Sequence, residues 1–312
     1  MLNLLLPELA KNDADVQTAN MQVYISAGGE PAKYQSILSA LAEQGIDIVS
    51  SSEVQGGWKL GLANASLDAK TLSTGFRALS EVTDVDIAFV DAEPTPSLSV
   101  PGILFMDMDS TLIQCECIDE IADFLGIKPQ IAAITQSALE GKLDFSESLI
   151  ERVKLLAGLD ESVLKQVYDE RIRLTDGAEN LIKTVHAHGW KVGLVSGGFT
   201  YFTALLEARL NLDFTAANTL EIVDGKLTGR ILESIVDATV KQELLKSQSK
   251  VWGIDLVHSV ALGDGANDLP MLNTAGVGIA FHAKPKVRES APYALSKGGL
   301  VQAIQLITPV RG

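Results

Sequence analysis

The sequence has few cysteines, little positive charge and no long apolar run. Only two cysteines occur among its 312 residues, Cys115 and Cys117, and a pair two positions apart makes a poor structural disulfide. There is no stretch of about 18 apolar residues, so no transmembrane helix is expected. The first four residues (MLNL) carry no basic group, which argues against a secretory signal. Together these absences predict a protein of the reducing cytoplasm.

Basic residues are outnumbered by acidic ones. Lys and Arg total 25 against 40 Asp and Glu, which gives a formal net charge of −15. Such an excess of negative charge repels nucleic-acid phosphates and anionic lipid, so neither nucleic acid nor a membrane is expected as a partner. A small anionic substrate bound in one local site remains compatible with this charge. The length predicts about two domains, and a composition of 46% hydrophobic and 21% charged residues is typical of globular proteins.

A proline-rich segment divides the sequence. Residues 91–101 (DAEPTPSLSVP) contain three prolines and two serines, a composition typical of a linker. We therefore expect an N-terminal domain over residues 1–93, a linker over 94–101 and a second domain over 102–312.

The N-terminal domain alternates between strand and helix patterns. Strand-like segments at 21–26, 46–50, 58–62 and 85–90 are separated by helical patterns at 32–43 and 67–79. The order βαββαβ predicts a small ferredoxin-like α+β fold. It resembles the ACT-type regulatory domains, which implies amino-acid binding, with serine feedback or homodimerisation through this domain as expected roles. For residues 1–20 an extra helix and a loose arm remain alternatives.

The second domain contains three short apolar segments that each run into a polar turn. They span residues 103–106, 191–195 and 259–262, with helical patterns such as 177–188 and 237–252 between them. Buried strands that alternate with helices predict an α/β fold with a Rossmann-like parallel sheet, whose ligands bind beyond the carboxyl ends of the strands. Residues of about 117–173, between the first two of these strands, are almost entirely amphipathic helix. We expect them to form a helical cap over the strand ends.

Two carboxylates, Asp107 and Asp109, directly follow the first of these strands. Residues i and i+2 of an extended chain share one face, so the two like charges lie close together at a cost in energy. A divalent cation offsets that cost, and carboxylate oxygens suit Mg²⁺. For these two residues alone, a pair of capping aspartates is the alternative.

Three further motifs follow other strand ends or begin a helix. Asp264, Asn267 and Asp268 lie in the acidic turn GDGAND, where Asp264 can complete a metal site; an ordinary turn with an N-cap aspartate is the alternative. Glycine-containing turns leave backbone N–H groups open to an anion, and a phosphoryl site needs one cation. The residues that provide these groups are Ser196, Gly197, Gly198 and Lys241. A plain strand-to-helix turn is the alternative for the glycine turn, and a solvated surface charge is the alternative for Lys241 alone.

The four motifs, in this order, resemble those of the haloacid-dehalogenase superfamily of phosphotransferases. They are Asp107 to Thr111 (DMDST), Ser196, Lys241, and the pair Asp264 and Asp268. The resemblance implies that Asp107 is a nucleophile that forms an aspartyl-phosphate and that Asp109 is the general acid and then the general base. It also implies that Mg²⁺ is held by Asp107, by the backbone carbonyl of Asp109 and by Asp264, with Asp268 in support.

Longer strings resemble the phosphoserine phosphatase family within this superfamily. These are DMDSTLIQCECIDEIA from Asp107, LVSGGF from Leu194 and GDGANDLPML from Gly263. The resemblance implies that Glu116 binds the substrate ammonium, that the cap supplies Phe145, and that Arg152 binds the substrate carboxylate. Ser196, Gly197, Gly198, Lys241 and Asn267 would bind the phosphate side of phosphoserine, in the last step of serine biosynthesis.

Two other functions remain open from the sequence. The same fold and nucleophile could transfer the phosphoryl group to another hydroxyl, or hydrolyse another small phosphomonoester. Alternatively, the protein could be a regulator in which the N-terminal domain senses an amino acid. The complete set of four acidic residues at the strand ends argues against the regulator.

Overall fold

The computed structural model describes residues 19–28, 30–91 and 96–308, which contain two separate β-sheets with helices packed on them. Residues 1–18 of the expected arm or helix lie outside this part of the chain. So do residues 94 and 95 of the expected linker.

The N-terminal sheet has four antiparallel strands in the order β2-β3-β1-β4. The ferredoxin-like order of elements predicted from the sequence is thereby confirmed. The prediction of a single helix over 67–79 is wrong, because the structure has two short helices in this region. The chain bends at Phe76, directly after Gly75, and the bend brings the Phe76 ring to 4.9 Å from that of Phe89. Its elements are β1 (Met21–Ser26), α1 (Pro31–Glu43), β2 (Asp47–Val54), β3 (Gly57–Ala63), α2 (Ala69–Gly75), α3 (Arg77–Thr83) and β4 (Ile87–Asp91).

Both faces of this sheet are covered. Val23 and Ile25 of β1 pack with the helices of the N-terminal domain, whereas Tyr24 between them belongs to the core of the second domain. This alternation follows from the two-residue period of a strand. Across the contact, the buried carboxylate of Asp86 accepts hydrogen bonds from the backbone N–H groups of Ser296 (2.9 Å) and Lys297 (2.8 Å).

The second sheet has seven strands in the order β11-β10-β9-β5-β6-β7-β8. All neighbouring pairs are parallel except β7 and β8, which confirms the predicted parallel α/β sheet. The three strands predicted from the sequence are the adjacent strands β9, β5 and β6, so their carboxyl ends meet at one edge. The strands are β5 (Ile103–Met106), β6 (Lys191–Phe199), β7 (Phe214–Val223), β8 (Lys226–Leu232), β9 (Ser259–Gly263), β10 (Val277–Phe281) and β11 (Tyr293–Leu295).

Four helices lie between β5 and β6, where the sequence predicted a helical cap. They are α4 (Cys117–Phe124), α5 (Lys128–Leu139), α6 (Phe145–Lys154) and α7 (Ser162–Glu170). Helix α6 begins at Phe145 because a capping box precedes it. The Asp144 carboxylate accepts from the Glu147 N–H (2.8 Å), and the Glu147 carboxylate accepts from the Asp144 N–H (2.9 Å).

The remaining helices surround the second sheet. They are α8 (Ala178–Ala187), α9 (Thr200–Leu210), α10 (Ala238–Trp252), α11 (Leu269–Thr274) and α12 (Pro285–Ser290). Within the described residues, none of the helices combines the length and the apolar character that a membrane crossing requires.

The sequence analysis did not identify the hairpin of β7 and β8. Its signal is nevertheless present, because Asp224 and Gly225 form a two-residue turn with φ of 51° and 74°. Two positive φ angles are characteristic of the type I′ turn, whose twist matches that of the flanking strands.

Candidate functional site

A cavity of about 180 Å³ lies where the cap covers the carboxyl ends of β5, β6 and β9. All site residues predicted from the sequence line this cavity, except Ser196, Lys241 and Asp268, which are buried behind its wall. The lining residues from that set are Asp107, Asp109, Glu116, Phe145, Arg152, Gly197, Gly198, Asp264 and Asn267.

Asp107 directly follows β5, and one of its carboxylate oxygens is held in place while the other is available. Its Oδ1 accepts hydrogen bonds from the backbone N–H of Met108 (2.7 Å) and lies 2.9 Å from the Nζ of Lys241. Its Oδ2 accepts no hydrogen bond from any residue that the structure describes. Asp107 is only 6% exposed, and it lines the cavity. This geometry suits a nucleophile that is fixed at one oxygen and attacks with the other.

Lys241 is buried between two carboxylates. It lies in the first turn of α10, and its Nζ is 2.9 Å from Asp107 and 2.7 Å from Asp268. Lys241 and Asp268 have no exposed surface. The two neighbouring carboxylates raise the pKa of Lys241 above its usual value despite the opposing effect of burial. Lys241 is therefore a permanent cation at the base of the cavity.

Asp107, Asp264 and Asp268 each offer an oxygen within 4.8 Å of the others. Asp264 Oδ1 accepts a hydrogen bond from Thr111 Oγ1 (3.2 Å). Burial and the charge of Asp268 raise the pKa of Asp264 to about 6 and that of Asp107 well above its usual value. These raised pKa values indicate that the positive charge of Lys241 alone does not balance the negative charge of the three carboxylates. Clustered carboxylate oxygens with surplus charge are the donor set that fits a hard divalent cation such as Mg²⁺.

The side chain of Asp109 is separate from that cluster. Its Oδ1 accepts from the backbone N–H of Cys117 (2.7 Å), and its Oδ2 accepts from the hydroxyl of Ser196 (3.2 Å). Burial raises the pKa of Asp109, which favours the protonated form that a general acid needs. Ser196 is completely buried and its Oγ also accepts from the Gly198 N–H (2.8 Å), so this hydroxyl orients Asp109.

The two glycines after Ser196 allow close packing around the cavity. A Cβ on Gly197 would lie 2.6 Å from the Phe145 ring, and a Cβ on Gly198 would lie 2.5 Å from Asp109 Oδ2. Neither position has room for a side chain. The glycines are required here by steric proximity rather than by an unusual backbone conformation.

Glu116 and Arg152 both line the cavity. Glu116 accepts a hydrogen bond from Ser110 Oγ (2.7 Å). The surrounding cavity walls and the Asp109 carboxylate raise the pKa of Glu116 to about 7, although the residue keeps exposed surface. Arg152, in the last turn of α6, donates from Nε to the Ser148 carbonyl (3.2 Å). No carboxylate of the described chain lies within ion-pair distance of Arg152, so its two terminal nitrogens are available.

The sequence analysis missed three residues that organise this site. Thr111 was part of a recognised motif and could have been found there, since its hydroxyl holds Asp264. Ser110 has a φ of 55° and donates to Glu116. Asn218, on β7, donates to the Gly197 carbonyl (2.8 Å) and has no motif around it.

Comparison with known proteins identifies the family of this chain. The family of haloacid dehalogenase-like hydrolases matches residues 104–273. The phosphoserine phosphatase of Haemophilus influenzae is 49% identical over 225 residues, which are 72% of this chain and 71% of that protein.

Two solved structures resemble the fold. A probable phosphoserine phosphatase from Vibrio cholerae, in unliganded form, has a TM-score of 0.80 at 34% identity and covers 98% of this chain and 93% of its own. A phospho-aspartyl intermediate analogue of phosphoserine phosphatase has a TM-score of 0.63 at 40% identity and covers 67% of this chain and 99% of its own. The first similarity therefore includes the N-terminal sheet.

Proposed function

This chain belongs to the haloacid dehalogenase-like hydrolases and, among them, to the phosphoserine phosphatases, and from that premise we propose how its cavity works. The reaction is the hydrolysis of O-phosphoserine to serine and phosphate. One observation carries the proposal: the available oxygen of Asp107 and the available guanidinium nitrogens of Arg152 belong to the same cavity. The first suits an attack on phosphorus, and the second suits the carboxylate of an amino acid.

Catalysis takes place in two steps on Asp107. In the first step Asp107 Oδ2 attacks phosphorus, the bond between phosphorus and the serine oxygen breaks, and Asp109 donates a proton to the leaving oxygen. In the second step Asp109 accepts a proton from a water molecule that attacks the aspartyl-phosphate. Phosphate leaves and Asp107 is regenerated. The hydrogen bonds from Cys117 and Ser196 hold Asp109 for both proton transfers.

Mg²⁺ is the metal that we propose for the acidic cluster. Asp107, Asp264 and the backbone carbonyl of Asp109 would hold it, with Asp268 in support. When bound, the cation neutralises charge on the oxygens of the transferring phosphoryl group. Asp268 also accepts from the Gly265 N–H (2.9 Å), which keeps the acidic turn in position beside Lys241.

We propose that the phosphate oxygens of the substrate bind between Lys241 and the turn at Ser196. Lys241 provides fixed positive charge next to the nucleophile, and Gly197 and Asn267 offer N–H groups at the cavity wall, where Gly198 holds the Ser196 hydroxyl in place. Donors that are already in place lose little energy to reorganisation when charge develops in the transition state.

The amino-acid part of the substrate contacts the cap side of the cavity. Arg152 would bind the carboxylate with two parallel hydrogen bonds, and Glu116 would bind the ammonium group. Phe145 closes the wall next to Gly197 and excludes water from the reacting atoms. A substrate without a carboxylate cannot form these two hydrogen bonds with Arg152.

Phosphate release from a panel of small phosphomonoesters tests this function. We expect phosphoserine to be hydrolysed with the highest kcat/KM, and phosphoethanolamine and phosphoglycolate to be poorer substrates. Treatment with EDTA should abolish turnover and added MgCl₂ should restore it. Equal turnover of all three compounds, or full activity in EDTA, would contradict the proposal.

Arg152→Lys should selectively impair the use of phosphoserine. The ammonium of lysine keeps the charge but cannot form two parallel hydrogen bonds, so we expect kcat/KM for phosphoserine to fall about 100-fold. The value for phosphoethanolamine, which has no carboxylate, should stay within about twofold because no bidentate contact is lost. Arg171→Lys, the same change at an exposed cap residue paired with Asp123, is the matched control. An equal loss on both substrates would show that Arg152 is not the carboxylate ligand.

We further propose the division into residues 1–93, 94–101 and 102–312, with an ACT-like N-terminal domain that forms a homodimer. Its separate four-stranded sheet supports the division. Cytoplasmic action is supported by two unpaired cysteines, since such thiols persist in reducing compartments.

A further inference from the structure

The hairpin of β7 and β8 is connected at its base to the glycine turn of the cavity. Asn218 of β7 is buried, and its amide donates to the Gly197 carbonyl (2.8 Å). Its Oδ1 accepts from the backbone N–H of Val236 (2.8 Å), which determines the orientation of the amide. The position of β7 therefore determines the position of the Gly197 backbone.

The tip of the same hairpin is bonded to the cap. The backbone N–H of Gly158 donates to the Leu227 carbonyl (2.8 Å), and the Leu227 N–H donates to the Leu159 carbonyl (2.8 Å). The Glu161 N–H donates to the Gly225 carbonyl (2.9 Å). These bonds form a short β-type contact between the hairpin and the segment that joins α6 to α7. They restrict the movement of that segment relative to the sheet.

Gly229 of β8 lies against the end of α6. Its φ is 81°, and a Cβ there would be 3.0 Å from the Ala157 Cβ and 3.1 Å from the Lys154 carbonyl oxygen. Helix α6 also carries Phe145 and Arg152. The hairpin thus contacts the helix that holds the proposed carboxylate ligand.

Cross-strand contacts make the hairpin itself rigid. Glu221 Oε2 accepts from Thr228 Oγ1 (2.6 Å) and from Arg230 Nε (2.7 Å), which joins the two strands between the base and the tip. Leu227 is 2% exposed and belongs to the main core. The two strands are therefore joined to each other between the base and the tip, and Leu227 joins them to the core.

We propose that the hairpin over residues 214–232 sets the distance between the glycine turn at the phosphate side and Arg152 at the carboxylate side. Asn218 and Gly229 are then positioning residues for substrate selectivity. This inference rests on the proposed function, because it assumes that both sides of the cavity bind one substrate. A fixed separation of two binding groups favours the one substrate whose length fits it.

Gly229→Ala tests the contact with the cap. The added methyl group must displace the end of α6, so we expect KM for phosphoserine to rise about 10-fold with kcat within about twofold. KM for phosphoethanolamine should not change. Gly225→Ala is the matched control, because Gly225 also has a positive φ (74°) but its Cβ would be 3.9 Å from the nearest atom. That variant should keep both KM values.

A second substitution distinguishes displacement from general damage. Ala157→Gly removes the carbon that the new methyl group meets, so the double variant should recover part of the loss in KM. The inference is wrong if Gly229→Ala leaves KM for phosphoserine unchanged, if it raises both KM values equally, or if the double variant shows no recovery.

Hydrogen exchange of the unmodified protein tests the inference without any variant. The amides of Gly158, Glu161 and Leu227 should be protected, and exchange at the rate of free amides would exclude the contact. A failure of the proposed function has a different signature. In that case the unmodified enzyme would not prefer phosphoserine over phosphoethanolamine, whatever the hairpin does.

Discussion

Asp107→Asn should abolish the hydrolysis of phosphoserine. An amide has no nucleophilic oxygen and forms no acyl phosphate, so we expect kcat to fall by about 10⁴-fold or more. Acid quenching during turnover of ³²P-labelled phosphoserine should trap labelled protein with the unmodified enzyme and none with the variant. Asp224→Asn is the matched control, because this exposed turn residue has a left-handed backbone (φ 51°) that asparagine tolerates.

The same substitution should not weaken the fold. Burial and the carboxylate of Asp268 raise the pKa of Asp107 in the folded protein, so its charged form opposes folding. The folded state then binds more protons than the unfolded state above pH about 4, and this contribution lowers stability as the pH rises. Without metal, we expect the variant to have at least the Tm of the unmodified protein at pH 7. The advantage should vanish below pH 4. Normal turnover, or labelled protein from the variant, would exclude Asp107 as the nucleophile.

Lys241→Met should reduce both activity and stability. The substitution leaves Asp107 and Asp268 buried without their cation, and the loss of one member of a buried ion pair costs about 3–5 kcal/mol of unfolding free energy. We expect kcat to fall about 10³-fold, as happens when one group that stabilises transition-state charge is lost. Thermal unfolding and steady-state phosphate release measure the two effects.

Lys246→Met is the matched control for this prediction. Lys246 lies on the same helix, five residues further on, and pairs with Glu243 at the surface, where such a pair contributes about 1 kcal/mol or less. It should therefore leave kcat and Tm almost unchanged. Added Mg²⁺ should restore part of the Tm lost in Lys241→Met, because the cation also balances the carboxylates. An unchanged Tm in Lys241→Met without metal would contradict the ion-pair arrangement.

The acidic part of the site could be predicted from the sequence because each aspartate directly follows a strand that a short stretch of sequence reveals. Asp107 follows β5 and Asp264 follows β9, and both strands are recognisable as short apolar segments. Parallel strands have their carboxyl ends at one edge of the sheet, so the parallel arrangement alone brings the two aspartates to the same edge. The cap helices were also predictable, from their amphipathic pattern.

The contacts around that acidic part could not be predicted in the same way. Lys241 was expected near the phosphate, but nothing local indicated that it would lie between Asp107 and Asp268. Gly197 and Gly198 were expected to leave the backbone open, whereas steric contact with Phe145 and Asp109 is what excludes a side chain. The strand pattern of β7 and β8 was present in the sequence and was overlooked.

The sequence by itself thus determined the class of fold and the acidic residues at the strand ends, since both follow from segments that can be recognised locally, whereas the proposed role of Asp107 as nucleophile came from the resemblance to a family. Only the tertiary structure decided that Asn218 holds Gly197 and that Gly229 contacts the end of the cap helix. These contacts join residues 21 and about 75 positions apart, and their distances depend on how the cap, the hairpin and the sheet pack together. Packing of that kind results from the whole core, so no short segment of the sequence contains it.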